Sequence, residues 1–157
     1  MIAYYLRHSI FFMALMTIAL TEPDFGFTAT DIMDHRMQID IPADQGGKGN
    51  GFRPMQILLA ALGSCSAMDI VSILKKQRQE LDALIIAIDG QREQGKEPSV
   101  WETLNMHFTM NGNLDPAKAW RAAELSVNKY CSVAETLRRA GATINWSVTV
   151  NETPVNL

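Results

Sequence analysis

The chain has 157 residues, a formal net charge of -3, and 47% hydrophobic against 20% charged residues. A chain of that size can bury a core without disulfide staples, and its composition excludes an intrinsically disordered polymer. Lys and Arg form no cluster, so nucleic-acid binding finds no support, because neutralising phosphates takes a dense basic face.

Two cysteines, Cys65 and Cys131, are too few for a secreted disulfide framework. They point to a reducing, cytoplasmic setting, where a cysteine pair is more often redox-active than structural. His8, His35 and His107 are scattered, with none at ligand spacing from another histidine or a cysteine, so no metal is expected. No cofactor is expected either.

At the N-terminus, Arg7 and His8 precede an uncharged stretch from Ser9 to Thr21. It is too short to span a bilayer, although long enough for a signal core; no small-x-small cleavage site follows, and cleavage would remove the first strand. No membrane association is expected. Residues 1–14 read as an N-terminal extension, with Met13 or Met16 as an alternative start, and residues 15–157 as a single domain.

Three alternating apolar runs come next: Met16, Ile18 and Leu20; Phe25, Phe27 and Ala29; Met37, Ile39 and Ile41. Period-two spacing predicts half-buried strands, and the short polar links between them predict a three-strand meander. The glycine-rich stretch from Pro42 to Gly51 lacks the strand and spacing of a phosphate loop, so phosphate binding is only weakly suggested. Pro54 suits the first position of a helix that runs to about Glu80. Between Ile57 and Leu62 this helix is apolar on every side, which predicts burial all round; beyond Met68 it becomes amphipathic.

Leu84, Ile86 and Ile88 alternate in a further strand, and Val100, Leu104, Met106, Phe108 and Met110 in the next. Asp115 before Pro116 signals a helix start. This helix is predicted to break near Tyr130 and Cys131. A short helix from Val133 then ends at Gly141, and a strand through Ile144, Trp146, Val148 and Val150 closes the chain. Met106, Met110, Trp120 and Trp146 read as core.

The resulting order, βββ-α-ββ-α-α-β, argues for an α+β fold with a mostly antiparallel sheet and a long central helix. One sheet covers one side of such a helix, so a second subunit is expected against the other.

Both cysteines have suggestive surroundings. Cys65 lies mid-helix among Gly63, Ser64 and Ser66, which leave its sulfur room. Cys131 precedes a helix start at which Ser132 and Glu135 have capping-box spacing. Amide donors and the positive end of the helix dipole are expected near its sulfur, favouring ionisation.

The segment from Gly51 to Lys76, GFRPMQILLAALGSCSAMDIVSILKK, together with KYCSV from Lys129 to Val133, closely resembles the OsmC/Ohr family of thiol proteins, in particular its YhfA-like branch. The similarity covers about residues 15–151. It implies an intertwined homodimer whose sites lie at the subunit interface. It also implies a thiol peroxidase that reduces organic hydroperoxides in oxidative stress defence, with a lipoyl protein or small thiol as reductant. On this sequence Cys65 takes the peroxidatic role, forming a sulfenic acid, and Cys131 the resolving role, closing a Cys65–Cys131 disulfide.

Peroxidatic members carry a glutamate after the motif proline, where this chain has Met55 followed by Gln56. These two residues are assigned to the substrate pocket. The thiolate-activating arginine falls to Arg36 or Arg53. The alternative reading is a non-catalytic module that binds a hydrophobic small molecule or senses redox state at the dimer interface.

Overall fold

The computed structural model describes residues 15–157, so the expected extension over residues 1–14 lies outside the described residues. The chain divides into two compact units, one ending at Ile57 and one running Leu58–Leu157.

The first unit is the expected meander. Strands β1 (Met16–Glu22), β2 (Gly26–Asp31) and β3 (Arg36–Ile39) form an antiparallel sheet in that order. Asp31 organises the second turn: its carboxylate accepts from the Met33 N–H at 2.8 Å and the His35 N–H at 2.9 Å, and it pairs with the His35 ring at 2.9 Å. One expectation changes here. Met16, Ile18 and Leu20 on β1 are 54%, 62% and 58% exposed rather than half-buried, because none of the described residues covers their face.

The glycine-rich segment wraps around a carboxylate. Asp40, 4% exposed, accepts from the N–H groups of Ile41, Lys48 and Asn50 at 2.7, 3.1 and 3.1 Å. Those bonds, led by the one from Asn50, hold its carboxyl below the ordinary value. Gly47 is required by close approach, since a Cβ there would sit 2.1 Å from the Ile41 carbonyl oxygen. The amides of this loop thus serve an internal anion, which removes the weak phosphate suggestion.

Helix α1 (Pro54–Lys76) begins at the proline as expected. Arg53 is its N-cap, and the Gln56 side chain reaches back to accept from the Arg53 N–H at 3.1 Å, one half of a capping box. At the other end the helix stops one turn before the expected Glu80. Arg78 takes the left-handed conformation (φ 54°), Gln79 N–H bonds the Leu74 carbonyl, and Arg78 N–H bonds that of Lys75. This is a Schellman turn with arginine at the position glycine usually signals.

The second unit contains most of α1 and a four-stranded sheet in the order β4 (Glu80–Arg92), β5 (Trp101–Asn113), β6 (Thr143–Val150), β7 (Thr153–Val155). β4 and β5 are antiparallel, β5 and β6 parallel, β6 and β7 antiparallel. The parallel step needs a crossover, supplied by α2 (Pro116–Leu125), a π turn (Ser126–Tyr130) and α3 (Ser132–Arg139). Asp115 caps α2 as expected, accepting from the Ala117 and Lys118 N–H groups. Gly141 (φ 101°) closes α3. The last strand, β7, is an addition to the expected order: its hairpin turns through Asn151 and Glu152, both at positive φ, without the glycine that marks most such turns.

The core of this unit joins Leu62, Ile70 and Leu74 of α1 with Leu104, Met106, Phe108 and Met110 of β5, all essentially inaccessible. Three alanines of α2, Ala119, Ala122 and Ala123, join it, as do Leu137 of α3 and Val148 and Val150 of β6. Trp120 and Trp146 pack with ring centroids 5.1 Å apart. Burial all round between Ile57 and Leu62 is not what the single chain shows, since Leu58 is 39% exposed; farther along α1, Met68 and Val71 are 73% and 47% exposed. By length and composition α1 could cross a membrane; its buried stripe is instead that of a core helix.

Candidate active site

Both cysteines lie in the second unit, and both are free thiols. Cys65 is half-buried on α1 and packs against the core, whereas Cys131 is 3% exposed. The Cys131 sulfur sits 4.0 Å from the Leu62 carbonyl oxygen, over the turn of α1 that leads to Cys65. The two thiols are near enough for Cys65 to bear on the ionisation of Cys131.

The π turn delivers Cys131 to this place. Its N–H bonds the Ser126 carbonyl at 2.9 Å, five residues back, and the extra residue in the turn re-aims the chain beyond it. Ser126, wholly buried, donates toward the Ser66 carbonyl at 3.3 Å and the Asp69 carboxylate at 3.2 Å. From the far side Arg138 donates to the Val127 carbonyl at 2.8 Å and to Asn128 Oδ1 at 3.2 Å. Carbonyls freed by the broken helix are thereby paired.

Two expectations about Cys131 are corrected. The N-cap of α3 is Cys131 itself: its sulfur accepts from the Ala134 N–H at 3.4 Å. The Ser132–Glu135 capping box does not form, because the chain enters the helix one residue earlier and Glu135 pairs with Arg139 at 2.8 Å instead. Nor is ionisation favoured. Burial pushes the Cys131 thiol above its ordinary 9.0, and the adjacent Cys65 thiol pushes the same way. The Ser66 hydroxyl and the Ala134 N–H pull it back. Desolvation outweighs the helix end.

The remaining site residues lie in the first unit. Arg36, on β3, is held by Asp34 at 3.0 Å. Arg53 is exposed and forms no ion pair among the described residues. It lines a cleft of about 340 Å³ with Gln56, Asp40 and Lys48. Met55 is half-buried in the first turn of α1. Within the second unit a larger cleft, about 600 Å³, is walled by Asp69, Ile73, Gln77, Leu125 and Tyr130. Tyr130 directly precedes Cys131, and Asp69 lies one turn beyond Cys65. His35 and His107 are engaged elsewhere, with Asp31 and with Ser147 and Thr149.

Sequence reasoning gave no role to Ser126 or Asp69, and read Ser66 only as a small residue that leaves the Cys65 sulfur room. Ser126 stands five residues before Cys131, a spacing that matches neither helix nor strand period, so only the π turn reveals it.

A long helix carrying one thiol, with a second thiol at a helix N-cap facing it, defines a two-cysteine thiol protein. A family model described as OsmC-like protein matches residues 47–147. Over 104 residues the chain is 38% identical to Protein YhfA of Escherichia coli strain K12, covering 66% of this chain and 75% of that protein. The crystal structure of a hypothetical protein from Aquifex aeolicus VF5 superposes with a TM-score of 0.71 at 28% identity, over 87% of this chain and 96% of that one. An organic hydroperoxide resistance protein OsmC from Legionella pneumophila gives 0.66 at 14% identity, over 90% and 100%; at that identity the likeness is one of fold. The chain belongs to the OsmC-like protein family.

Proposed function

We propose that the chain is a thiol-dependent peroxidase that reduces organic hydroperoxides in oxidative stress defence, with Cys65 as the attacking thiol and Cys131 as the resolving one. The observation that carries this reading is a pair of free thiols, one half-buried and one buried, with the Cys131 sulfur 4.0 Å from the α1 carbonyl of Leu62, one turn before Cys65. The more accessible sulfur is the one to meet peroxide.

The Cys65 thiolate attacks the terminal peroxide oxygen; the O–O bond breaks, the alkoxide leaves and is protonated to an alcohol, and Cys65 becomes a sulfenic acid. Cys131 then displaces the sulfenic oxygen as water, and the S–S bond forms. A lipoyl protein or small thiol reductant supplies the two electrons and two protons that restore both thiols. The apolar surroundings of Cys65 suit a fatty or aryl hydroperoxide. A cation favours the attacking thiolate; with Arg36 held by Asp34, Arg53 is the more available of the two. The protein acts in the cytoplasm as a homodimer, a reading supported by the uncovered apolar face of α1 at Leu58, Met68 and Val71.

Cumene hydroperoxide consumption driven by dihydrolipoamide is expected to disappear in Cys65→Ser, and peroxide-treated wild type to form an intrachain disulfide. Undiminished turnover in Cys65→Ser overturns the proposal. The second reading, a binding or redox-sensing module without turnover, draws support from the raised Cys131 thiol and from Met55 in place of a carboxylate. Oxidation of Cys65 by one equivalent of peroxide without multiple turnovers decides for it.

A further inference from the structure

One polar atom beside Cys131 has no hydrogen-bond partner of ordinary geometry among the described residues. Ser66 is wholly buried on α1, and its hydroxyl makes no hydrogen bond of ordinary geometry. A helical serine commonly returns its hydroxyl to the carbonyl four residues back, which here is Leu62. That carbonyl instead faces the Cys131 sulfur at 4.0 Å. Ser66 and Leu62 stand one turn apart on the same buried stripe, so the hydroxyl and the sulfur meet over one turn of the helix. An unpaired hydroxyl in a core is costly, and a serine kept there gains only if another state of the site pairs it.

We propose that the Ser66 hydroxyl is a hydrogen-bond donor held for the Cys131 thiolate, engaged when Cys131 attacks the oxidised Cys65. The inference rests on the thiol-exchange reading above. In the resting state Cys131 is a buried thiol whose S–H points at the Leu62 carbonyl and whose lone pairs take the Ala134 N–H at 3.4 Å. When the thiol ionises it loses its own donor and becomes a stronger acceptor. Ala134 N–H and Ser66 O–H then converge on one sulfur, the first from α3 and the second from α1. The Ser66 hydroxyl already opposes the upward push of burial on this thiol.

The resolving step balances without a further reagent. Cys131 gives up its proton, its sulfur forms the S–S bond with Cys65, and the S–O bond of the sulfenic acid breaks. The departing hydroxide takes up the proton as water. The Cys65 sulfur is reduced as the Cys131 sulfur is oxidised. When a dithiol later attacks the disulfide at Cys65, Cys131 departs as a thiolate, and the same donor stabilises the leaving group.

The test separates the role of Ser66 from turnover. In a Cys65→Ala background, the ultraviolet absorbance of the thiolate reports Cys131 alone. Adding Ser66→Ala is expected to raise its titration midpoint by about one unit, a tenfold loss of thiolate at a given pH, as for one hydrogen bond to a charged group. With Cys65 present, Ser66→Ala slows conversion of sulfenic acid to disulfide about tenfold near neutral pH. That gap narrows as the pH rises toward the Cys131 midpoint, and Ser66→Thr, which keeps the hydroxyl, restores the midpoint. An unchanged midpoint in a Ser66→Ala protein with native circular dichroism overturns the inference. If wild type consumes no hydroperoxide, the peroxidase reading fails while the titration still decides the role of Ser66.

Discussion

Ser126 donates its hydroxyl to the carbonyl of Ser66 at 3.3 Å, fastening the π turn that precedes Cys131 to the residue of α1 just after Cys65. The same hydroxyl lies 3.2 Å from the Asp69 carboxylate, so one buried group sets the spacing between the segments that carry the two thiols. Ser126→Ala removes the one donor that these two acceptors share. The expected cost is about 1 kcal/mol of unfolding free energy, the net worth of a hydrogen bond, read by urea denaturation. Disulfide formation after peroxide treatment is expected to slow as well, because the Cys131 sulfur is less firmly aimed.

The floor beneath the cysteines is the buried stripe of α1 against β5. Phe108 is fully inaccessible at the centre of that contact. Phe108→Ala is expected to cost about 3–5 kcal/mol through lost burial and the cavity left behind. The midpoint of chemical denaturation checks it, and a stability within about 1 kcal/mol of wild type, well under that range, contradicts this account of the core.

Asp40 gives the first unit a pH dependence. Its carboxyl is held below the ordinary 3.8, first by the Asn50 N–H and then by those of Ile41 and Lys48. A depressed folded value means that the unfolded chain binds the proton more readily. The stabilisation is therefore complete above the unfolded value and is lost as the pH falls through the folded one. Asp40→Asn is expected to lower the melting temperature near neutral pH, and the gap from wild type to shrink in acid below 3.8. A constant gap across that range excludes the carboxylate as the organiser of the loop.

The exposed side of α1 bears on assembly. Met68 is 73% exposed in the single chain, so Met68→Lys disturbs little of the fold within it. In a homodimer packed through this helix, a buried unpaired ammonium is strongly unfavourable. Light scattering is expected to show a monomer for Met68→Lys and a dimer for wild type, with the far-ultraviolet circular dichroism unchanged. A wild-type monomer contradicts the proposed assembly.

Much of this architecture was legible because side-chain period and end signals agree. Pro54, Asp115 and Gly141 each mark a boundary with a residue whose backbone chemistry suits it, and each boundary lies where expected. The misread boundaries share one cause, a residue type that does not signal the backbone role it takes. Arg78 ends α1 in a left-handed turn, Asn151 and Glu152 make a hairpin without glycine, and Cys131 caps a helix in place of the serine beside it. The sign of the Cys131 shift has another origin. Proximity to a helix start is visible in sequence, whereas burial by Leu62, Ser66 and the facing thiol depends on contacts more than sixty residues apart. Apolar exposure on β1 and α1 likewise reflects which surfaces one chain leaves uncovered, and alternation alone does not specify what covers them.

Because the Cys131 sulfur both starts α3 and faces Cys65, a change in its bonding is also a change at a helix boundary. Turning toward Cys65 to close a disulfide draws the sulfur away from the Ala134 N–H, which it holds at 3.4 Å in the reduced protein. The amide of Ala134 then becomes a reporter that needs no substrate. Its hydrogen exchange is expected to be slow in the reduced protein and faster after oxidation, so a single backbone proton records the redox history of the pair.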